Sequence, residues 1–363
     1  MPMRVSSPES ARALFQLFLF FDADVGLPSI IEKIEFGEPD PRQICRVALN
    51  RLPESAALSV VRPDYDPASH LTSTLRSTEF QKGFVSLFSN AFPEKRRRIF
   101  VHVPKCAGTD LIAHLMRLYP SLGWALTEEQ RTTKEALFAR ISALVRETLV
   151  SPDLFIYGHM GLLRVLNHEL LRQGDEVFTV VRDPFEMVLS NVNYIITRLL
   201  SVAAKPNSAQ HPDIIGWSKK LGIERLDPES SQSALLDLAK RILHEPSLIP
   251  DNRLCRSLGG VGGAKGQRVS AQSAHDNLVI ANVEITDTHR YARWLRSKFS
   301  VVAKTGRNAS RTVLSRETLA AADVEYVESI TAEDRKVYDS IQAALARSDA
   351  PSMMADKLDS PTS

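Results

Sequence analysis

Apolar and polar positions fall into two regimes along the chain. Over residues 1–93, apolar residues recur at mixed three- and four-residue spacing in 7–21, 29–34, 41–51 and 71–88, which predicts helices. Pro39-Asp40-Pro41 starts one of them with a proline near the first helical position. Beyond Pro93, short apolar runs alternate with helical stretches. Residues 99–103, 154–157 and 176–181 read as buried strands, and 111–119, 133–149 and 184–200 as helices. This alternation predicts an α/β fold with a parallel sheet flanked by helices. Further on, 228–244 reads as a helix, 278–281 as another strand, and 286–299 and 317–345 as helices. The last dozen residues read as a disordered tail. The expected organisation is a helical accessory module over 1–93, an α/β domain over 94–348 and a tail over 349–363.

Charge refines this picture. The 363 residues carry 45 Lys and Arg against 43 Asp and Glu, a net charge of +2. That balance excludes a strongly basic nucleic-acid coat and an acidic solvating chain, and leaves room for a local basic pocket. The run Glu94-Lys95-Arg96-Arg97-Arg98 reads as a solvated linker, with a surface for an anionic substrate as the alternative. Three cysteines, Cys45, Cys106 and Cys255, lack C-x-x-C spacing. They argue against a disulfide framework or structural zinc and for a reducing compartment. The apolar run 13–21 is broken by Gln16 and stops at Asp22, short of the about 20 residues a spanning helix needs. It reads as a buried helix, so the expectation is a cytoplasmic protein without stable membrane insertion.

Candidate chemistry begins at Ile99-Phe100-Val101-His102-Val103-Pro104-Lys105-Cys106-Ala107-Gly108-Thr109, which reads strand, tight loop, helix. A helix N-terminus after a tight loop offers free N–H groups and a positive dipole end to an anion. Lys105 adds a charge, Thr109 a hydroxyl, and Gly108 allows close backbone approach. The lysine precedes the glycine, unlike the loop of nucleoside triphosphatases. The Gly-rich stretch 259–266 also lacks the G-x-x-x-x-G-K-[ST] order and reads as a mobile loop. A second constellation follows the strand 176–181. Arg182 stands at its carboxyl end, Asp183 and Pro184 suit the N-cap and first position of a helix, and Ser190 lies about two turns further on. Arg182 and Ser190 can converge on one anion, the arginine with a bidentate fork.

Pro104-Lys105-Cys106-Ala107-Gly108-Thr109 resembles the 5′-phosphosulfate loop of sulfotransferases, in particular the carbohydrate O-sulfotransferases related to heparan sulfate 2-O-sulfotransferase. Asp110 departs from the Ser or Thr usual there and is expected to turn away from the anion. Arg182-Asp183-Pro184, Ser190 and Tyr194 resemble the 3′-phosphate clamp of the same family, R-D-P-x-x-R-x-x-S-x-x-x-Y, with Met187 in place of an arginine. The resemblance spans roughly residues 96–345 and implies a P-loop-kinase-like α/β fold. It also implies 3′-phosphoadenosine 5′-phosphosulfate (PAPS) as co-substrate, no metal, and a carbohydrate or glycoconjugate acceptor. Lys105, Cys106, Ala107, Gly108, Thr109, Arg182 and Ser190 become nucleotide-binding candidates, with Lys105 also stabilising the leaving phosphate. His159, just past the strand 154–157, should emerge at the sheet's carboxyl edge, where ligands bind. A histidine suits proton abstraction near neutral pH, and the Gly158-His159 pair resembles the position of the family's catalytic histidine. His102 is a weaker candidate.

Looser similarities mark 251–258, where Arg256 is a candidate contact to an anion, the loop 304–310, and the D-x-x-[LV]-Y pattern at Asp334–Tyr338. The N-terminal segment loosely resembles helical modules appended to bacterial carbohydrate-related proteins. Two rival readings remain: a P-loop kinase-like phosphotransferase, and a non-catalytic interaction protein that retains the fold.

Overall fold

The computed structural model describes residues 84–349 except 86, 90, 124–133, 168–170, 204–211, 224–226, 228, 261–268 and 304–310. The helices expected before residue 84, the tail beyond 349, most of the Gly-rich loop and the loop 304–310 lie outside the described residues. Five parallel strands form one sheet flanked by helices, in the order β2-β3-β1-β4-β5. They are β1 (Arg96–Val101), β2 (Ser121–Gly123), β3 (Asp153–Gly158), β4 (Glu176–Val181) and β5 (Glu284–Asp287). β1 pairs with β3 from Arg96↔Asp153 to Val101↔Gly158, and with β4 from Arg98↔Glu176 to Phe100↔Phe178. Five of six residues of β1 and of β4 are buried, as expected of parallel strands covered on both faces.

Helices α1 (Gly108–Leu115), α2 (Lys134–Val150), α3 (Leu162–Asn167) and α4 (Pro184–Ala203) follow β1, β2, β3 and β4 in turn. Then come α5 (Pro212–Leu221), α6 (Gln232–Leu243), α7 (Arg253–Gly259), α8 (Ala271–Ile280), α9 (Tyr291–Phe299), α10 (Ala321–Ile330) and α11 (Ala332–Asp349). Among the described residues no helix is long and apolar enough to cross a membrane.

The chain divides into two compact units, each discontinuous in sequence. The first takes residues 1–101, 111–160 and 165–178; the second takes 102–110, 161–164 and 179–363. In the first unit, Phe84, Phe88 and Phe92 follow one another at four-residue spacing, their rings tilted against each other with centres 5.8 and 4.9 Å apart. Phe178 stacks on Phe100 and Phe155 within the sheet. In the second unit the core gathers on α4, whose Val188, Val192, Ile195 and Ile196 pack with Leu235 and Ile242 of α6.

Several expectations are corrected. Arg96–Arg98 is not a linker but the first half of β1. Arg97 is 1 % exposed and ion-pairs with Asp175, whose side chain is 6 % exposed, Arg96 pairs with Asp153 at 2.7 Å, and Arg98 with Glu176 at 2.7 Å. Their charges are paired with carboxylates of β3, of β4 and of the turn before β4, so the run is built into the sheet rather than left as a free cationic surface. Residues 278–281 are not a strand. They close α8, which the Ser270 side chain caps by accepting the Ser273 N–H, while Asn282 at φ 46° ends the turn. A four-residue apolar run does not distinguish strand from helix by period. Thr286 lies in β5, and the next helix starts only at Tyr291 because Asp287 Oδ1 accepts the His289 and Arg290 N–H groups and turns the chain. The expected helix 317–345 is split at Thr331. There the Asn252 side chain accepts the N–H groups of Glu333 and Asp334 and starts α11 afresh. The three-residue β2 was too short to show a period.

Candidate functional site: a cationic loop beside a capped helix

The loop leaving β1 carries backbone strain. Lys105 at φ 68° and Ala107 at φ 57° both take left-handed backbone, and neither is a glycine. Such conformations cost about 1–3 kcal/mol each and concentrate where a loop is shaped for a ligand. Their alternation with Cys106 gives the kind of turn in which successive N–H groups form an anion-binding concavity. Gly108 opens α1, and a Cβ there would stand 2.0 Å from the His102 ring, so only glycine fits beneath that imidazole. Thr109 is exposed at the first turn. Cys106 is fully buried, its sulfur 3.8 Å from Met187 Sδ. Burial pushes its thiol up to about 12, so it packs as a neutral group and is no nucleophile.

The second constellation lies in the same unit as this loop. Lys105 Nζ sits 3.8 Å from the centre of the Tyr194 ring on α4, a cation–π contact that joins the two sequence motifs directly. Asp183 caps α4 as expected, its Oδ1 accepting the N–H of Phe185 at 2.9 Å and of Glu186 at 3.2 Å. Its other oxygen takes Arg335 at 2.8 Å. Burial opposes ionisation of Asp183, yet the Arg335 guanidinium and these N–H groups hold its pKa below the ordinary value. Arg335 thus neutralises the carboxylate next to Arg182. Arg182 itself meets Glu186 only at 3.7 Å in a solvent-exposed pair, a contact worth little. Ser190 is half-buried on α4.

Lys105 is held down to about pKa 8, first by burial and then by the charges of Arg253 and Arg182. Two guanidinium groups therefore bear on one ammonium. Asp110 does not oppose them: its Oδ2 accepts the Tyr291 hydroxyl at 2.9 Å, so this departure from the family pattern has a structural partner. Arg256, a sequence candidate, is turned to Asp251 through an ion pair and a 2.8 Å bond from Nε to the Asp251 carbonyl. Arg253, which no motif singled out, lies nearer the loop. Its position three residues before Arg256, on the same seven-residue helix, was the available signal.

Asp334 ties this region together. Fully buried, it accepts the N–H of Leu254 at 2.9 Å and of Cys255 at 2.7 Å, capping α7 from a distant helix. Asn252 returns the favour to α11, so each helix start is closed by a side chain from the other. Burial raises Asp334 to about pKa 6 despite these N–H donors.

His159 belongs to the first unit. It is exposed and follows directly on Gly158, the last residue of β3, whose partner in register is Val101 at the end of β1. It therefore leaves the sheet at the carboxyl edge, as expected. His102 is buried. Comparison with protein-family models and with curated proteins returns no match.

Proposed function

We propose that the chain is a PAPS-dependent O-sulfotransferase built on a P-loop-kinase-like domain. The observation that carries this reading is Lys105. It stands on a strained loop at the end of a central strand, against Tyr194 of the clamp helix, with Arg182 and Arg253 as its charged neighbours. Three cations with so little carboxylate compensation suit a ligand with several negative oxygens. The buried, unpartnered guanidinium nitrogen of Arg253 and the cationic loop agree with a nucleotide phosphosulfate as substrate.

In this proposal Lys105 and the N–H groups opening α1 hold the 5′-phosphosulfate, and Arg182 with Ser190 holds the 3′-phosphate. His159 removes the acceptor's hydroxyl proton as that oxygen attacks sulfur in line. The bond from sulfur to the bridging oxygen breaks, and the negative charge passes to the departing phosphate, where Lys105 stabilises it. The acceptor is a sugar hydroxyl of a carbohydrate or glycoconjugate, the setting is the cytoplasm, and no metal takes part.

Calorimetric titration with adenosine 3′,5′-bisphosphate tests the reading. Wild-type protein is expected to bind, Lys105→Ala and Arg182→Ala to weaken binding at least tenfold, and His159→Ala to keep affinity while losing sulfuryl transfer. Binding of ATP in preference to PAPS, or unchanged affinity in both cation variants, would refute it.

A further inference from the structure

Arg253 opens α7, and its Nη1 is buried with no hydrogen-bond partner among the described residues. A buried guanidinium nitrogen without an acceptor is costly; an unpaired polar group of this kind calls for a specific explanation. The carboxylate that acts on its charge does not supply one. Asp334 lines the same cavity, yet both its oxygens accept backbone N–H groups of α7. That cavity is also lined by Met187, Val188 and Asn191 of α4, the helix that carries Ser190 and Tyr194.

The α4 part of the lining explains what Arg253 is there for. Met187, at the clamp position where the pattern has an arginine, is buried against Cys106 and brings no charge. The cation lining this cavity comes instead from α7. The charges of Arg253 and Arg182, on two different elements, both bear on Lys105 of the strained loop.

We infer that Arg253 is a binding residue for the anionic co-substrate, its Nη1 donating to a phosphate oxygen held jointly with Lys105 and Arg182. The identity of that co-substrate rests on the sulfotransferase reading; the need for a phosphate-type oxyanion does not.

Two probes, adenosine 3′,5′-bisphosphate and inorganic pyrophosphate, are titrated into wild-type, Arg253→Gln and Arg253→Lys protein. Glutamine is expected to weaken both about 10- to 100-fold, the range for a lost charge-assisted bond. Lysine, which keeps the charge and loses the fork, is expected to fall between. A second readout is proton uptake at pH 8, from titrations in buffers of different ionisation enthalpy. Lys105, which faces Arg253, Arg182 and the Cys106 thiol, is partly neutral there and regains its proton beside a bound anion. Without Arg253 it is already more fully charged, so uptake shrinks; unchanged uptake would show that the Arg253 charge does not reach Lys105. Wild-type affinity in Arg253→Gln overturns the inference, whatever the uptake. If glutamine does not fold, wild-type affinity in Arg253→Lys overturns it. Pyrophosphate binding that depends on Arg253, without nucleotide binding, upholds the inference and removes the sulfotransferase reading. Binding of neither probe removes both.

Discussion

Gly108 and His102 form the tightest residue-level constraint in the loop. The imidazole occupies the space a Cβ would need, at 2.0 Å from its Cδ2 and 2.2 Å from its Nε2. Gly108→Ala is expected to cost about 1–3 kcal/mol, the usual range for overpacking. His102→Ala opens that space, so the double variant should recover a large part of the loss. Urea denaturation of the two single variants and the double variant measures the coupling; simple additivity would show that the alanine is accommodated elsewhere. Gly108 was legible in the sequence as a point of close backbone approach. That the close neighbour is His102 was not, because that ring lies against it only once the strand has ended and the loop has turned.

At the scale of elements, the basic run in β1 shows how pairing decides the meaning of charge. Arg97 is buried with Asp175, which also accepts the Arg172 backbone N–H at 2.7 Å. Arg97→Ala leaves that carboxylate buried without its cation and is expected to destabilise by about 3–5 kcal/mol. Arg96→Ala, next along the strand but half-exposed, should cost less than about 1 kcal/mol. Equal losses in chemical denaturation would count against this assignment. The strands β1, β3 and β4 were legible because continuous apolar runs bounded by polar residues suit a sheet covered on both sides. The helix α8 was misread because its Val279 and Ile280 end a turn that only the Ser270 cap and the Asn282 backbone define.

For the molecule as a whole, ligand binding and stability are linked through Lys105. In the free protein its pKa lies near 8, below the ordinary 10.5. Between those values the unfolded chain holds the proton more tightly, so this group's contribution to stability rises with pH. A bound anion reverses the preference, because the charged ammonium then has a partner. Adenosine 3′,5′-bisphosphate at 100 times its dissociation constant should stabilise by about 2.7 kcal/mol. The corresponding rise in melting temperature should be larger at pH 7 than at pH 9.5, where free Lys105 is mostly neutral. Differential scanning fluorimetry at both values checks this. Lys105→Ala should lose most of the ligand-induced rise and of its pH dependence; a pH effect kept in full would mean another group titrates.

Period and turn chemistry were enough for the sequence to determine the α/β class, the main strands, the capped start of α4 and the lysine loop, because all of these are local. A net charge of +2 said nothing about where cations gather. Among the described residues, tertiary structure decided which basic groups are neutralised and which are not. It gave Arg96–Arg98 to carboxylates of β3 and β4 and the segment between them, Arg335 to Asp183 and Arg256 to Asp251, and left Lys105 under the charges of Arg182 and Arg253. Apart from Arg256 and Asp251, these pairs join residues tens to more than a hundred positions apart, and no spacing within a motif can register that.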